Sequence, residues 1–147
     1  MASKLLEICE ALATSLAGVA WAIESVSVDR RNFVTIDPDD MAAPVMFVTP
    51  GSAEVQRIGR NSHQYDYSVS VFVGRHTPTE WDADGMLELA EDALSAIRAH
   101  KWPSPWAGGV TSPVSLGIEI NPDDALNERN VWRAVISATY RVNVVDA

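Results

Sequence analysis

The sequence predicts an α+β fold, in which a mainly antiparallel sheet carries two helices packed on one face and a protruding β-hairpin. Two stretches, one near the N-terminus and one near the middle, have apolar residues at the 3.6-residue spacing of a helix. Other stretches alternate apolar and polar residues, as strands with one covered face do. Because several strands lie between and after the helices, α+β is favoured over α/β. The 147 residues fit a single domain, residues 1–147.

The first predicted helix is amphipathic and ends near Gly18. Its apolar stripe consists of Leu5, Ile8, Cys9, Leu12, Leu16 and Val19. Short strands are predicted at residues 26–28 and 33–36. The next segment, "DPDD" at residues 37–40, predicts a helix start with an aspartate N-cap followed by proline. "NPDD" at residues 121–124 repeats this pattern, and neither segment has the ligand spacing of an EF-hand calcium loop.

A β-hairpin is the most prominent predicted element. "APVMFVTPG", at residues 43–51, predicts a short buried strand that a Pro-Gly turn closes. The hairpin follows, with strands at residues 53–58 and 64–73 and a turn at residues 59–62. Its second strand has Tyr and Val at every other position on one side. Because unpaired strand edges are a liability in a monomer, we expect another molecule to cover this two-stranded arm.

The second predicted helix lies within residues 77–102, with Thr79 as its N-cap. Its apolar stripe consists of Met86, Leu87, Ala90, Ala93, Leu94 and Ile97. Acidic residues open it and basic residues close it, as the helix dipole favours. A proline- and glycine-containing loop then leads to two alternating strands at residues 114–120 and 130–145. The length of the last strand predicts a central position in the sheet, with one covered face.

Charge and cysteine content limit the possible functions. Eleven Lys and Arg against 20 Asp and Glu give a net charge of −9, which argues against wrapping a nucleic acid. Cys9 is the one cysteine, so we expect a reducing compartment and a small buried side chain. Glu7 and Glu10 interrupt the apolar run that a signal peptide would need, and we expect neither export by this route nor a membrane span.

The sequence contains residue types that occur in catalytic and metal-binding sites, but not the motifs or spacing that such sites need. Ser62, His63 and Asp66 have the residue types of a catalytic triad, but they lie in one hairpin tip without a nucleophile elbow or an oxyanion-hole motif. The three histidines, His63, His76 and His100, are far apart and have no second ligand at zinc-binding spacing. An enzyme is therefore possible, but no residue of the sequence argues for one, and we expect no metal site and no cofactor.

Two features favour an interface with another protein molecule. The segment at residues 54–78 is locally basic on an acidic chain, which favours contact with an acidic flank of another copy; ordinary surface charge is the alternative. Two tryptophans in the proline-rich loop either fold back over the core or anchor an interface. The predicted interface residues are Arg57, Arg60, Asn61, His63, Trp102 and Trp106.

Four stretches in order form a wider pattern: a helix "LLEICEALATSLAG", a strand pair with an exposed tip "VQRIGRNSHQYDYSVSVFV", a helix "MLELAEDALSAIRAH" and a closing strand "VWRAVISATYRVNVV". In element order, length and strand character, this pattern resembles the tail-terminator (tail-completion) proteins of long-tailed bacteriophages. The resemblance covers nearly the whole chain.

The resemblance implies a structural virion protein and not an enzyme. Such proteins form a ring, commonly of six copies, on the head-proximal end of the tail tube, where they stop tube polymerisation. The implied partners are further copies of this chain, the tail tube protein and the head–tail connector protein. The implied location is the tail neck of the virion, and the host cytoplasm during assembly. The resemblance implies no catalytic, cofactor-binding or metal-binding residue.

DNA would pass through such a ring without specific binding. Carboxylates repel a polyanion, so we expect part of the acidic excess to face the channel. The channel-facing candidates are Asp39, Asp40, Glu80, Asp82, Asp84, Asp123 and Asp124.

Two alternatives remain open at this point. Another neck component, such as a head-completion or tube-like protein, also has a small α+β fold and assembles into rings. From a different class, a small-molecule-binding α+β domain would need a concave pocket with converging polar groups. A protruding hairpin favours the ring component, and a deep polar pocket favours the binding domain.

Overall fold

The computed structural model describes residues 4–21, 26–31, 43–76, 80–99, 113–120 and 131–145. These residues form two helices, α1 (Lys4–Ala17) and α2 (Glu80–Ala99), and five strands. The strands are β1 (Ser27–Arg30), β2 (Val45–Arg57), β3 (Ser62–His76), β4 (Ser115–Ile120) and β5 (Val131–Val145). The predicted strand at residues 33–36, the two predicted helix starts at "DPDD" and "NPDD", and the predicted cap Thr79 lie outside the described residues.

The five strands form one sheet in the order β1-β2-β3-β5-β4. The β1–β2 pair is parallel, and the other three pairs are antiparallel. Both helices pack on the same face of this sheet, α1 mainly over β1 and β2, and α2 over β3, β5 and β4. The predicted α+β fold is therefore confirmed, and β5 lies inside the sheet as its length predicted.

One hydrophobic core joins the two helices to the covered face of the sheet. The sheet contributes Met46, Val48, Val69, Val71, Val73, Trp132, Ala134, Ile136, Ala138, Tyr140 and Val142. On β3 and β5 these residues fall at every other position, because successive side chains of a strand point to opposite faces. The alternation read from the sequence is confirmed for both strands.

Helix α1 buries one stripe of side chains, as its sequence spacing predicted. Ile8, Cys9, Leu12 and Leu16 are all at most 1% exposed. The helix ends where the Gly18 amide donates to the carbonyl oxygens of Thr14 and Ser15, at 3.3 and 3.1 Å. Burial raises the pKa of the Cys9 thiol to about 11. Cys9 is thus a neutral packing residue, as predicted.

Helix α2 buries Met86, Leu89, Ala90, Ala93 and Ile97. Leu87 and Leu94 of the predicted stripe are half-buried and pack against the same core. Leu89 was missing from the predicted stripe, although its spacing from Met86 and Ala93 places it on the same helix face.

Strand β2 is continuous through Pro50 and Gly51, so the predicted Pro-Gly turn is wrong. The chain instead changes register between Pro50 and Ser52, as in a β-bulge. Within the described residues, β1 pairs with β2 only as far as Val48. Pro50 therefore lies on an edge, where a residue without an N–H group is tolerated.

The sheet face opposite the helices also buries aromatic residues. Phe47 and Phe72 stack with their ring centroids 5.8 Å apart, and both are buried. The Arg31 guanidinium lies 4.3 Å from the centroid of the Phe47 ring. The sequence alternation grouped Phe72 with polar residues, so burial of this second face was not predicted.

Candidate subunit interface on the strand arm

The outer part of the β2–β3 hairpin extends beyond the sheet region that β1 and β4 cover, and β5 accompanies it. We call residues 51–68 and 139–145 the strand arm. The residues of β3 from Ser62 onwards pair with β2 on one side and with β5 on the other. The predicted two-stranded arm is therefore wrong in strand number, since a third strand stiffens it along its whole length.

One face of the strand arm is polar. Its rows of paired residues across β2, β3 and β5 are Ser52–Ser68–Thr139, Glu54–Asp66–Arg141 and Gln56–Gln64–Asn143. The Ser68 and Thr139 hydroxyl oxygens share a hydrogen bond of 3.1 Å. Arg141 donates to both carboxylate oxygens of Asp66, at 2.9 and 3.3 Å, and this bond raises the pKa of Arg141. Much of the polar face is thus satisfied within the arm.

The other face of the strand arm is apolar and continues the covered face of the sheet. Its rows are Ala53–Tyr67–Tyr140 and Val55–Tyr65–Val142. The Tyr65 and Tyr67 rings stack with centroids 6.0 Å apart. Exposure rises towards β2, from buried Val142 through half-buried Tyr65 to Val55, which is 57% exposed. Ile58, which follows Arg57 at the tip and whose amide bonds to Ser62, is 49% exposed and is turned by strand alternation to the other face of the arm. We call Val55 and Ile58, the two exposed aliphatic residues at the outer end of β2, the apolar ledge.

Both long edges of the strand arm have no strand partner among the described residues. Residues 52–57 of β2 pair with β3 alone, because β1 ends opposite Val48. Residues 140–145 of β5 also pair with β3 alone, because β4 ends opposite Thr139. Such edges expose a row of backbone donors and acceptors that another chain can pair with or cover.

Arg57 holds the turn of the hairpin. Its Nε donates to the Gly59 carbonyl oxygen, and its Nη2 donates to the Arg60 carbonyl oxygen, both at 3.0 Å. The Ile58 amide donates to the Ser62 carbonyl oxygen at 3.1 Å and closes the same turn. The predicted role of Arg57 in contacting another molecule is untested, but its guanidinium already shapes the arm's own tip.

The other predicted arm residues occupy different positions. Arg60 and Asn61 are exposed in the turn, where a partner can reach them. His63 was predicted to lie in the turn; it is instead the second residue of β3, half-buried and paired with Arg57. Arg75 lies at the far end of β3, paired with Trp132, so the locally basic segment does not form one basic patch. The basic charge of the tip therefore rests on Arg57 and Arg60.

Several predicted residues lie outside what the structure describes. Trp102, Trp106, Asp39, Asp40, Asp123 and Asp124 are not among the described residues. Glu80, Asp82 and Asp84 belong to the first five residues of α2, for which the structure describes the helix but not the side chains. The predicted anchors and channel-facing acids therefore stay predictions.

A second surface, at the β4 edge of the sheet, was not identified from the sequence. A groove of about 270 Å³ opens between α2 and β4 and is lined by Leu94, Ser95, Arg98 and Leu116. Val114, next to β4, and Ile120, at its end, are exposed by 53% and 43%. The helical spacing of Leu94 and Arg98 and the apolar content of β4 were the available signals, but sequence alone does not place these two elements side by side.

The three triad candidates of the hairpin tip do not come together in the structure. Ser62 and Asp66 are separated from His63 by an odd number of positions on β3, so they point to the opposite face from His63 and cannot form a triad with it. In the described part of the chain, no group of three or more His, Cys, Asp or Glu side chains is placed to hold a metal ion. Neither described helix is long and apolar enough to span a membrane.

Comparison with known proteins adds no family assignment. No protein-family model matches this chain, and no curated protein matches it.

Proposed function

We propose that this chain is a structural protein that forms a ring on the head-proximal end of a phage tail tube. In this role it ends tube polymerisation and joins the tail to the head-side connector. Its partners are other copies of itself, the tail tube protein and the connector protein, in the neck of the virion. It performs no chemical reaction and uses no cofactor.

The observation that carries this proposal is the strand arm. A three-stranded extension whose two edges have no strand partner among the described residues, and which exposes Val55 and Ile58, is costly for an isolated molecule, because it invites uncontrolled association. In a ring, the next copy covers it. Contacts between two different surfaces of identical subunits close into rings when the rotation between subunits permits. The strand arm supports a ring component in general, and the resemblance in element order supports the terminator in particular.

The polar face of the strand arm also suits a passage for DNA. A row of hydroxyls, a row with two carboxylates and one arginine, and a row of amides offer little net positive charge to a phosphate backbone. Arg141 is already bonded to Asp66. We therefore expect the polar face of the strand arm to line the channel together with the acidic residues predicted from the sequence.

The alternative of a small-molecule-binding domain has weaker support. Of the described residues, those around the α2–β4 groove enclose about 270 Å³, and two of the four lining residues are leucines. Ligand pockets are typically about 300–1,000 Å³ and bury most of the ligand. The groove is better suited to receive a protein side chain than to enclose a metabolite.

The proposal is tested on tail tubes of the phage that encodes this chain. Deleting the gene is expected to give tubes of irregular, greater length that do not join heads, and adding the purified protein to growing tubes is expected to stop their growth. Tubes of normal length in the deletion strain, joined normally to heads, would remove the proposal. Normal tube length without head joining would instead assign the chain to the alternative neck component.

A further inference from the structure

Two surfaces of this molecule are complementary and lie towards opposite edges of its sheet. The apolar ledge, Val55 and Ile58, lies on the free edge of β2, while the α2–β4 groove lies beyond β5. We propose that the apolar ledge of one copy inserts into the α2–β4 groove of the next copy. This inference rests on the proposed ring function and names the contact that would build the ring.

The apolar parts of the two surfaces match in kind. The ledge presents two branched aliphatic side chains that solvent half-covers. The groove presents Leu94 and Leu116 on its walls, and Val114 and Ile120 extend its apolar margin along β4. Burying these side chains against each other removes apolar surface of both copies from water, which is the main source of affinity in protein association.

Charge gives the contact a direction. Glu88 and Glu91 are exposed on α2. Glu88, Glu91, Ser95 and Arg98 follow one another at spacings of three, four and three residues, so all four lie on one helix face. Of these four residues, Ser95 and Arg98 line the groove, and the exposed surface of α2 that continues from it towards the start of the helix is acidic at Glu91 and Glu88. The tip of the arm is basic at Arg60.

In the orientation that matches opposite charges, the tip of the arm lies towards Glu88 and Glu91. Glu54, which is nearer the base of the arm, then lies towards Arg98. The reverse orientation would bring Arg60 against Arg98, a like-charge contact that opposes binding. Exposed ion pairs contribute little affinity by themselves, so these charges set register and direction while the apolar ledge supplies most of the binding.

The sheet order makes this contact head-to-tail. In the order β1-β2-β3-β5-β4, strands β3 and β5 separate the arm's free edge from the groove. A copy whose strand arm contacts one neighbour can still receive the arm of a second neighbour in its own groove. Such contacts propagate until they close, which is the geometry of a ring.

A disulfide experiment tests the contact directly. The experiment uses the variant that combines Ile58→Cys with Ser95→Cys. The protein is concentrated to about 1 mM, so that contacts with millimolar dissociation constants are populated. It is then oxidised, and the products are separated by size under denaturing conditions without reductant. The native Cys9 is fully buried and does not compete. We expect a ladder of covalent multimers, with a peptide that joins positions 58 and 95 identified by mass spectrometry. The matched control, Ile58→Cys with Ser137→Cys, places the second thiol at an exposed position on the opposite face of the sheet and should give no 58–137 link.

Charge reversal tests the orientation. Arg60→Glu alone and Glu91→Lys alone should each weaken self-association about tenfold or more, and the two changes together should restore it. Monomers only, or closed dimers without a ladder, would overturn the head-to-tail contact even if the wild-type protein caps tubes. A 58–95 ladder from a protein that leaves tube length unchanged would instead uphold the contact and remove the proposed function.

Discussion

Gly51 lies so close to Ser68 that a Cβ atom on Gly51 would be 2.7 Å from the Ser68 carbonyl oxygen. This contact occurs at the root of the strand arm, where β2 shifts its register between Pro50 and Ser52. Since a backbone carbonyl in a paired strand cannot move aside cheaply, only glycine fits at this position. The bulge and the direction of the arm therefore depend on a residue without a side chain.

We predict that Gly51→Ala destabilises the protein by about 1–3 kcal/mol, because the added methyl group forces the two strands apart. The control is Gly117→Ala, since a Cβ at Gly117 on β4 would have no atom within 4 Å. Chemical denaturation of both variants checks this. If Gly51→Ala is as stable as Gly117→Ala, the two strands can move apart at the bulge at little cost in free energy.

The packing of α1 on the sheet gives a second prediction. Leu12 is fully buried, and truncating such a side chain leaves a cavity as well as losing apolar burial. Leu12→Ala should therefore lower the free energy of unfolding by about 2–5 kcal/mol. Val114→Ala, at a position 53% exposed, should change it by no more than about 0.5 kcal/mol. Equal effects at the two positions would contradict the core assignment.

Cys9 gives a pH-dependent prediction. Burial raises the pKa of its thiol from 9.0 to about 11, so between these values the unfolded chain releases a proton that the folded chain keeps. Stability then falls as pH rises, by about 1.4 kcal/mol per pH unit from this group, or roughly 3 kcal/mol in all. Below pH 9 the contribution is fully present.

The measurement is the stability difference between the wild type and Cys9→Ala, taken from pH 8 to pH 11 so that other titrating groups cancel. The wild-type advantage should shrink across this range. A constant difference would show that the thiol ionises with its ordinary pKa in the folded protein.

The hairpin turn gives a fourth prediction. Arg57→Ala removes two hydrogen bonds to the carbonyl oxygens of Gly59 and Arg60. We expect the Ile58 amide, which closes the turn, to exchange its hydrogen roughly two- to tenfold faster, with little change in global stability. Arg60→Ala is the matched control, because its carbonyl, and not its side chain, accepts the bond from Arg57. Equal exchange in both variants would show that Arg57 does not hold the turn.

The fold followed closely from the sequence where one periodicity dominated. The core-facing residues of β3 and β5 and the helical stripes of α1 and α2 pack into one core, so spacing identified most of them, with Leu89 as the one missed residue of the α2 stripe. The prediction failed at Pro50 and Gly51, where turn-forming residues stand on a strand edge. Pro-Gly has the same local preferences in a turn and in an edge bulge, and the pairing of distant strands decides between them.

The candidate site was harder to predict because it depends on contacts between distant parts of the chain. The exposure of Val55 follows from where β1 and the helices end, and the groove at Leu94 and Leu116 follows from strand order. The charges of Arg57 and Arg75 were visible in the sequence, but not that Arg57 bonds its own turn or that Arg75 lies at the other end of β3. Local charge counts do not distinguish these cases.

The most direct test of the central claim is electron microscopy of phage tail tubes of the kind proposed as its partner, incubated with this protein. We predict a closed ring at one end of each tube, in which the strand arm of every copy lies against α2 and β4 of its neighbour. Tube ends without density for this protein, or a bound protein whose arm contacts only solvent, would contradict the account.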